Sequence, residues 1–244
     1  MSITTTARTR RLASITAWGA ISALALSACG SSVPKLEEVW PEVRENIQNA
    51  TSVSITGQME QNGETINLDM SGQMDDSSFA GEIAADGISM ELIGNKETTY
   101  IKPDAAFWED QGGGSAMMEM VGDKWIEAPS QSGMNMSSFY EGFRDETPEG
   151  EEFNDTEYTS EEIEHEGQQV YKYTGTDKDS GEPITVLVNK DNQLVRLERE
   201  ASGEQSEDES SEGSGTGAID FKDWNSVEPV EMPADDEIFS VPGM

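Results

Sequence analysis

The sequence predicts an α+β domain: one large curved antiparallel sheet of about ten strands, covered on one side by two or more helices. Three observations predict it. Apolar and polar residues alternate with period two through residues 53–102 and again in segments between 161 and 224. Turn-forming pairs such as Asn62-Gly63, Asp86-Gly87 and Glu166-Gly167 stand at the corners between those runs. A 3.6-residue period occurs in two stretches only, near 35–50 and 134–143.

The 244 residues include 49 Asp+Glu and 15 Lys+Arg, for a formal net charge of −34. The charge is unevenly spread. Three of the fifteen bases (Arg8, Arg10, Arg11) and none of the acids precede Cys29, so 12 bases face 49 acids from there on, a balance of −37. Such a surface repels phosphate backbones, and nucleic acid is not expected as a partner. Cys29 is the single cysteine and His165 the single histidine, which excludes an internal disulfide and a multi-histidine metal site. No cofactor is expected.

Residues 1–28 read as an export signal. The three arginines form a positive n-region, and Leu12–Ala28 is an uncharged run rich in Ala, Leu and Ile. It ends in Leu26-Ser27-Ala28-Cys29, followed by Gly30-Ser31-Ser32. That pattern resembles a bacterial lipobox, which implies cleavage before Cys29, a thioether-linked diacylglycerol on its sulfur and acylation of the new amino group. Two acyl chains, at ~0.8 kcal/mol per buried methylene, make a lasting anchor. No later stretch reaches the ~18 consecutive apolar residues that a spanning helix needs. The expectation is a lipidated tether at 29–34 and one domain over 35–244, at the extracytoplasmic face of a bacterial cell membrane.

The domain elements follow in order. Leu36, Val39, Trp40, Val43, Ile47 and Ala50 form one helical stripe, interrupted by Pro41, so a helix is expected to start or kink there. Val53, Ile55, Gly57 and Met59 begin a five-strand meander. It continues through Ile66, Leu68 and Met70, then Phe79, Gly81 and Ile83, then Ile88, Met90 and Leu92, then 98–102. Residues 103–122 read as a loop with a short helix, 124–128 as a strand, and Met134–Phe143 as a second helix. Strands are expected again at 161–166, 168–174, 184–189, 193–200 and 218–224, and an extended tail at 227–241. Residues 145–166 carry 11 acids and no Lys or Arg, and 202–217 has no apolar residue before its last glycine. Acidic disordered inserts are expected near 145–160 and 202–217.

Candidate chemistry is sparse. His165 stands among Glu162, Glu164 and Glu166 on a segment that reads as an exposed strand. Asp177-Lys178-Asp179-Ser180-Gly181-Glu182 echoes a calcium loop, but Val188 occupies the place of the bidentate glutamate. With 49 acids, carboxylate pairs carry no information about a glycosidase. No catalytic residue is assigned and no enzyme is expected.

The lipobox, the amphipathic helix and a meander beginning ATSVSITGQME and ending AIDFKDWNSVEPVEMP, with DKWIEAP at 123–129, together resemble actinobacterial envelope lipoproteins of the LppX/LprG type. Those are similar in architecture to the lipoprotein carrier LolA, a half-barrel with an acyl-binding cavity between sheet and helices. The resemblance implies a non-covalent acyl lipid or lipoglycan ligand, membrane attachment through Cys29, and an envelope transporter as a protein partner. Ile55, Met59, Leu68, Met70, Ile83, Met90 and Leu92 are the candidate cavity lining. The other expectation is an anchored, non-enzymatic interaction or sensor module with a solid core and acidic loops.

Overall fold

The computed structural model describes residues 33–61, 63–112, 114–128, 135–145, 147, 157–176, 181–200 and 216–239. The export signal, Cys29, residues 177–180 of the calcium-like turn and most of both acidic inserts lie outside the described residues.

Helix α1 (Leu36–Gln48) buries Leu36, Val39, Trp40, Val43 and Ile47, the stripe that its sequence contains. The helix does not start at Pro41, one of the two expected outcomes; it begins five residues earlier and carries Pro41 inside it, on the exposed side. Burying five large apolar side chains contributes about 1.5–3 kcal/mol each, which outweighs the roughly 3 kcal/mol an interior proline costs. Glu37 and Glu38 in the first turn complement the positive end of the helix dipole.

The meander comprises β1 (Ser52–Gln61), β2 (Glu64–Gln73), β3 (Phe79–Ala85), β4 (Ile88–Gly94) and β5 (Thr99–Pro103). Where a loop with one short helix is expected, two helices follow, α2 (Ala105–Asp110) and α3 (Gly114–Val121). Asp104 makes the first one possible: its carboxylate accepts from the backbone N–H of Phe107 at 2.9 Å and from that of Ser89 at 3.0 Å. Then come β6 (Ile126–Glu127), α4 (Met136–Asp145), β7 (Tyr158–His165), β8 (Gln168–Thr176), β9 (Pro183–Asn189), β10 (Leu194–Arg199) and β11 (Thr216–Lys222).

All eleven strands belong to one antiparallel sheet, in the order β6-β5-β4-β3-β2-β1-β11-β10-β9-β8-β7. The order ends at β6 and β7 without pairing them, so the sheet is open. Asp86-Gly87 and Glu166-Gly167 have positive φ at both central positions, as the twist-matched two-residue hairpin requires. The tail after β11 is not simply extended: it forms a 3-10 turn at Asp235–Glu237 and a parallel bridge from Ile238 to Trp125 beside the short edge strand β6.

Helices α1 and α4 pack on one face of the sheet. Tyr140 of α4 donates its hydroxyl to the carbonyl of Ile47 at 2.6 Å, and the carboxylate of Asp76 receives both the backbone N–H (2.7 Å) and the hydroxyl (2.5 Å) of Ser137. At the other end of α1, the Tyr173 hydroxyl donates to the carbonyl of Pro34 at 3.0 Å. Beside it the Tyr158 hydroxyl accepts the N–H of Leu36 at 3.0 Å and donates to Glu37.

Candidate functional site

Strand register sorts the helix-facing side of β1–β5 and β11 into four rows. Val53, Gly72, Phe79 and Gly94 form the first, and Phe221, Ile55, Met70, Gly81, Leu92 and Ile101 the second. The third holds Ile219, Gly57, Leu68, Ile83 and Met90, the outermost Met59, Ile66, Ala85 and Ile88. Every side chain proposed from sequence as lining therefore lies on one face, as the period-two alternation requires.

Burial falls off across these rows, with Ile101 of the second already half-buried. Val53, Ile55, Met70, Phe79 and Leu92 are at most 4% exposed and share one core cluster with Val43 and Ile47 of α1 and Met136 and Tyr140 of α4. From the third row outward every side chain is half-buried. Leu68 and Ile83 touch the core cluster; Met59, Ile66, Ile88 and Met90 are not part of it. Of the seven candidates, then, Ile55, Met70 and Leu92 sit in the packed core, while Met59, Leu68, Ile83 and Met90 lie on the half-buried apolar floor. Ile66 and Ile88, on the same floor, were legible in the alternation but not singled out.

Past that floor, α2 packs against β4 and α3 against α2. Phe107 and Trp108 of α2 meet edge to face, with centroids 5.2 Å apart. Of the apolar residues on α3, Val121 alone is buried; Met118 is 40% and Met120 56% exposed.

The opposite face of the sheet is polar. A groove of about 600 Å³ there is lined by Thr56, Gln58, Glu60, Arg196, Glu198 and Asp220, among others. Its central charges are already matched: Arg196 reaches Asp220 at 2.6 Å and Glu198 at 3.0 Å. Burial opposes the guanidinium charge, but these two bonds raise the Arg196 pKa nonetheless. Nothing in this lining suits an acyl chain.

His165 corrects the sequence reading. It was expected on an exposed strand; it is half-buried, with Nε2 3.6 Å from Oδ1 of Asp220. Among the described residues neither atom has a hydrogen-bond partner. Beside it Glu166 pairs with Lys222 at 2.8 Å, a bond that lowers the Glu166 pKa. The residues they reach are on β11, which three strands separate from β7 in the sheet order, so the tip of the β7–β8 hairpin curls over the polar face. A second small cluster of Val170, Leu187 and Val195, with Ile163 against it, fills the inside of that curl. Local sequence records no such curvature, which explains the missed pairing.

Among the described residues no group of three or more His, Cys, Asp or Glu is placed to hold a metal ion, and no helix is long and apolar enough to cross a membrane.

Fold and site together define an α+β protein with an open, curved antiparallel sheet, one face apolar and packed by helices over part of its extent, the other polar. No family model and no curated protein matches the chain. Among solved structures it is similar to an uncharacterized conserved protein from Thermus thermophilus, at 11% identity over 83% of this chain and 97% of that one, with a TM-score of 0.35.

Proposed function

We propose that this protein is a membrane-anchored envelope lipoprotein that holds an acyl lipid or lipoglycan, without covalent chemistry, on the outer rows of the helix-facing side. In this reading the sheet and its helices form a half-barrel of the LolA kind, and Cys29 carries the anchor. It is a carrier or presenter, not an enzyme, and works with an envelope transporter.

The observation that supports it is the burial boundary between the second and third rows. A solid core would close over Met59, Leu68, Ile83 and Met90; here burial fades from Leu92 outward while the side chains stay apolar. Methionines suit such a floor, because an unbranched, polarizable chain adapts to ligands of irregular shape. Ten methylenes buried there contribute about 8 kcal/mol before the cost of immobilising the chain.

The test is native mass spectrometry with organic extraction on the mature protein, purified from a lipid-producing bacterium. A stoichiometric adduct released into solvent as an acyl lipid is the expected result. An empty protein that also takes up no added fluorescent lipid overturns the carrier. It would favour the interaction module, a reading that the three candidates packed in the core (Ile55, Met70 and Leu92) otherwise support.

A further inference from the structure

Helix α3 has the sequence Gly114-Ser115-Ala116-Met117-Met118-Glu119-Met120-Val121, with one charge in eight residues. A helix apolar nearly all round belongs in a core or in lipid. Among its residues only Val121 is buried, and Met118 and Met120, on different sides of the helix, are the large hydrophobics that the described surface exposes most. Single exposed apolar residues need no explanation, but an apolar helix with a single buried residue does.

Its position adds a second observation. Helix α2, against which α3 packs, follows the end of β5 and touches β4. The antiparallel register puts that end of β5 at the same strand ends as Met59, Ile66 and Ile88 of the outer row. The N-terminus of α1 is pinned at the same strand ends, by Tyr158 at the start of β7 and Tyr173 near the end of β8. Val33, just before α1, packs against the core, and Cys29 stands four residues earlier in sequence. Four extended residues span at most about 14 Å.

We propose that α3 docks on a phospholipid bilayer, with Met120 entering the headgroup–acyl boundary, so that the outer apolar row faces the membrane. The inference rests on the anchoring and lipid-holding reading above and deepens it by naming the surface through which lipid enters. The contact is apolar, and the acidic surface opposes it on anionic membranes. Added salt therefore strengthens the contact there, the reverse of what a basic peripheral protein shows.

The experiment uses the mature lipoprotein reconstituted into vesicles of phosphatidylcholine, with and without phosphatidylglycerol. Its own thiol is blocked by acylation, so Met120→Cys provides one site for an environment-sensitive dye. Asp191→Cys, in the β9–β10 turn at the opposite strand ends, is the control. Phospholipids carrying a shallow nitroxide quencher are expected to quench the dye at 120 at least twofold more than at 191, and salt to increase the difference on anionic vesicles. Equal quenching at both positions overturns the proposal, as does a blue-shifted but unquenched dye at 120, which marks a protein cover. Vesicle flotation separates the two readings. A protein that fails to float loses the anchor and this inference together; one that floats and carries lipid but shows no quenching at 120 loses this inference alone.

Discussion

The ring of Phe79 lies across Gly94, its direct cross-strand neighbour on β4, so closely that a Cβ there would stand 2.8 Å from ring atom Cε1. On the other side Gly72 faces Phe79 across β2, and a Cβ on it would come within 2.9 Å of the Phe79 Cα. Two glycines thus clear one buried aromatic at the base of the sheet. Gly94→Ala is expected to destabilise the protein by about 2–3 kcal/mol, the upper range for overpacking, because the ring it would meet is fully buried. Phe79→Ala alone should cost about 3–5 kcal/mol. Urea unfolding of the double variant should show a total clearly below the sum of the two, since the clash disappears with the ring.

The boundary between rows two and three has its own signature in stability. Leu92→Ala and Met70→Ala remove side chains at 1% and 0% exposure and should cost about 2–5 kcal/mol. Leu68→Ala and Met90→Ala, on the half-buried floor, should cost less than about 1.5 kcal/mol. If all four cost the same in urea unfolding, the floor is core. Met90→Glu should leave the domain folded and lower the amount of co-purifying lipid. Met70→Glu should unfold it instead, because an unpaired charge would be buried.

Acid should loosen the junction between α1 and β7. The hydrogen bond from Tyr158, assisted by Lys35, lowers the Glu37 pKa. A lowered carboxyl pKa contributes stability above the unfolded value of about 4.3, and this contribution is lost as pH falls through the folded value. Glu37→Gln should therefore cost about 1 kcal/mol at pH 7, and the gap to the parent should narrow as pH falls below the unfolded value. Thermal midpoints measured from pH 7 to pH 3 check this; a gap that stays constant means that Glu37 contributes nothing in its charged form.

The curl of the β7–β8 hairpin depends on charges that sit on β10 and β11. Asp220 is 19% exposed and, among the described residues, its carboxylate takes one direct bond, from Arg196 at 2.6 Å. Arg196→Ala leaves that carboxylate with His165 at 3.6 Å and without its direct bond, and should cost about 3 kcal/mol. Lys190→Ala, which breaks an exposed bridge to Glu162, should cost less than about 1 kcal/mol. Hydrogen exchange should show the hairpin tip at 163–168 losing protection in the first variant and not in the second.

What the sequence determined by itself is the assignment of side chains to faces. Period-two alternation around Ile55, Leu68, Met70, Ile83 and Met90 needs only local backbone geometry, and Asp86-Gly87 and Glu166-Gly167 set their turns through φ values that few other pairs adopt. The stripe of α1 was equally legible, because Val39, Val43 and Ile47 share a face in any helix. The tertiary structure decided how far along each strand the helices cover the sheet, which separates Leu92 from Met90 two residues away. It decided that α1 runs through Pro41, since burial on the far side outweighs one lost hydrogen bond. It also brought His165 to Asp220 across three intervening strands. Each of these depends on energy summed over residues distant in the chain, and a local pattern of apolar and polar side chains holds no record of that sum.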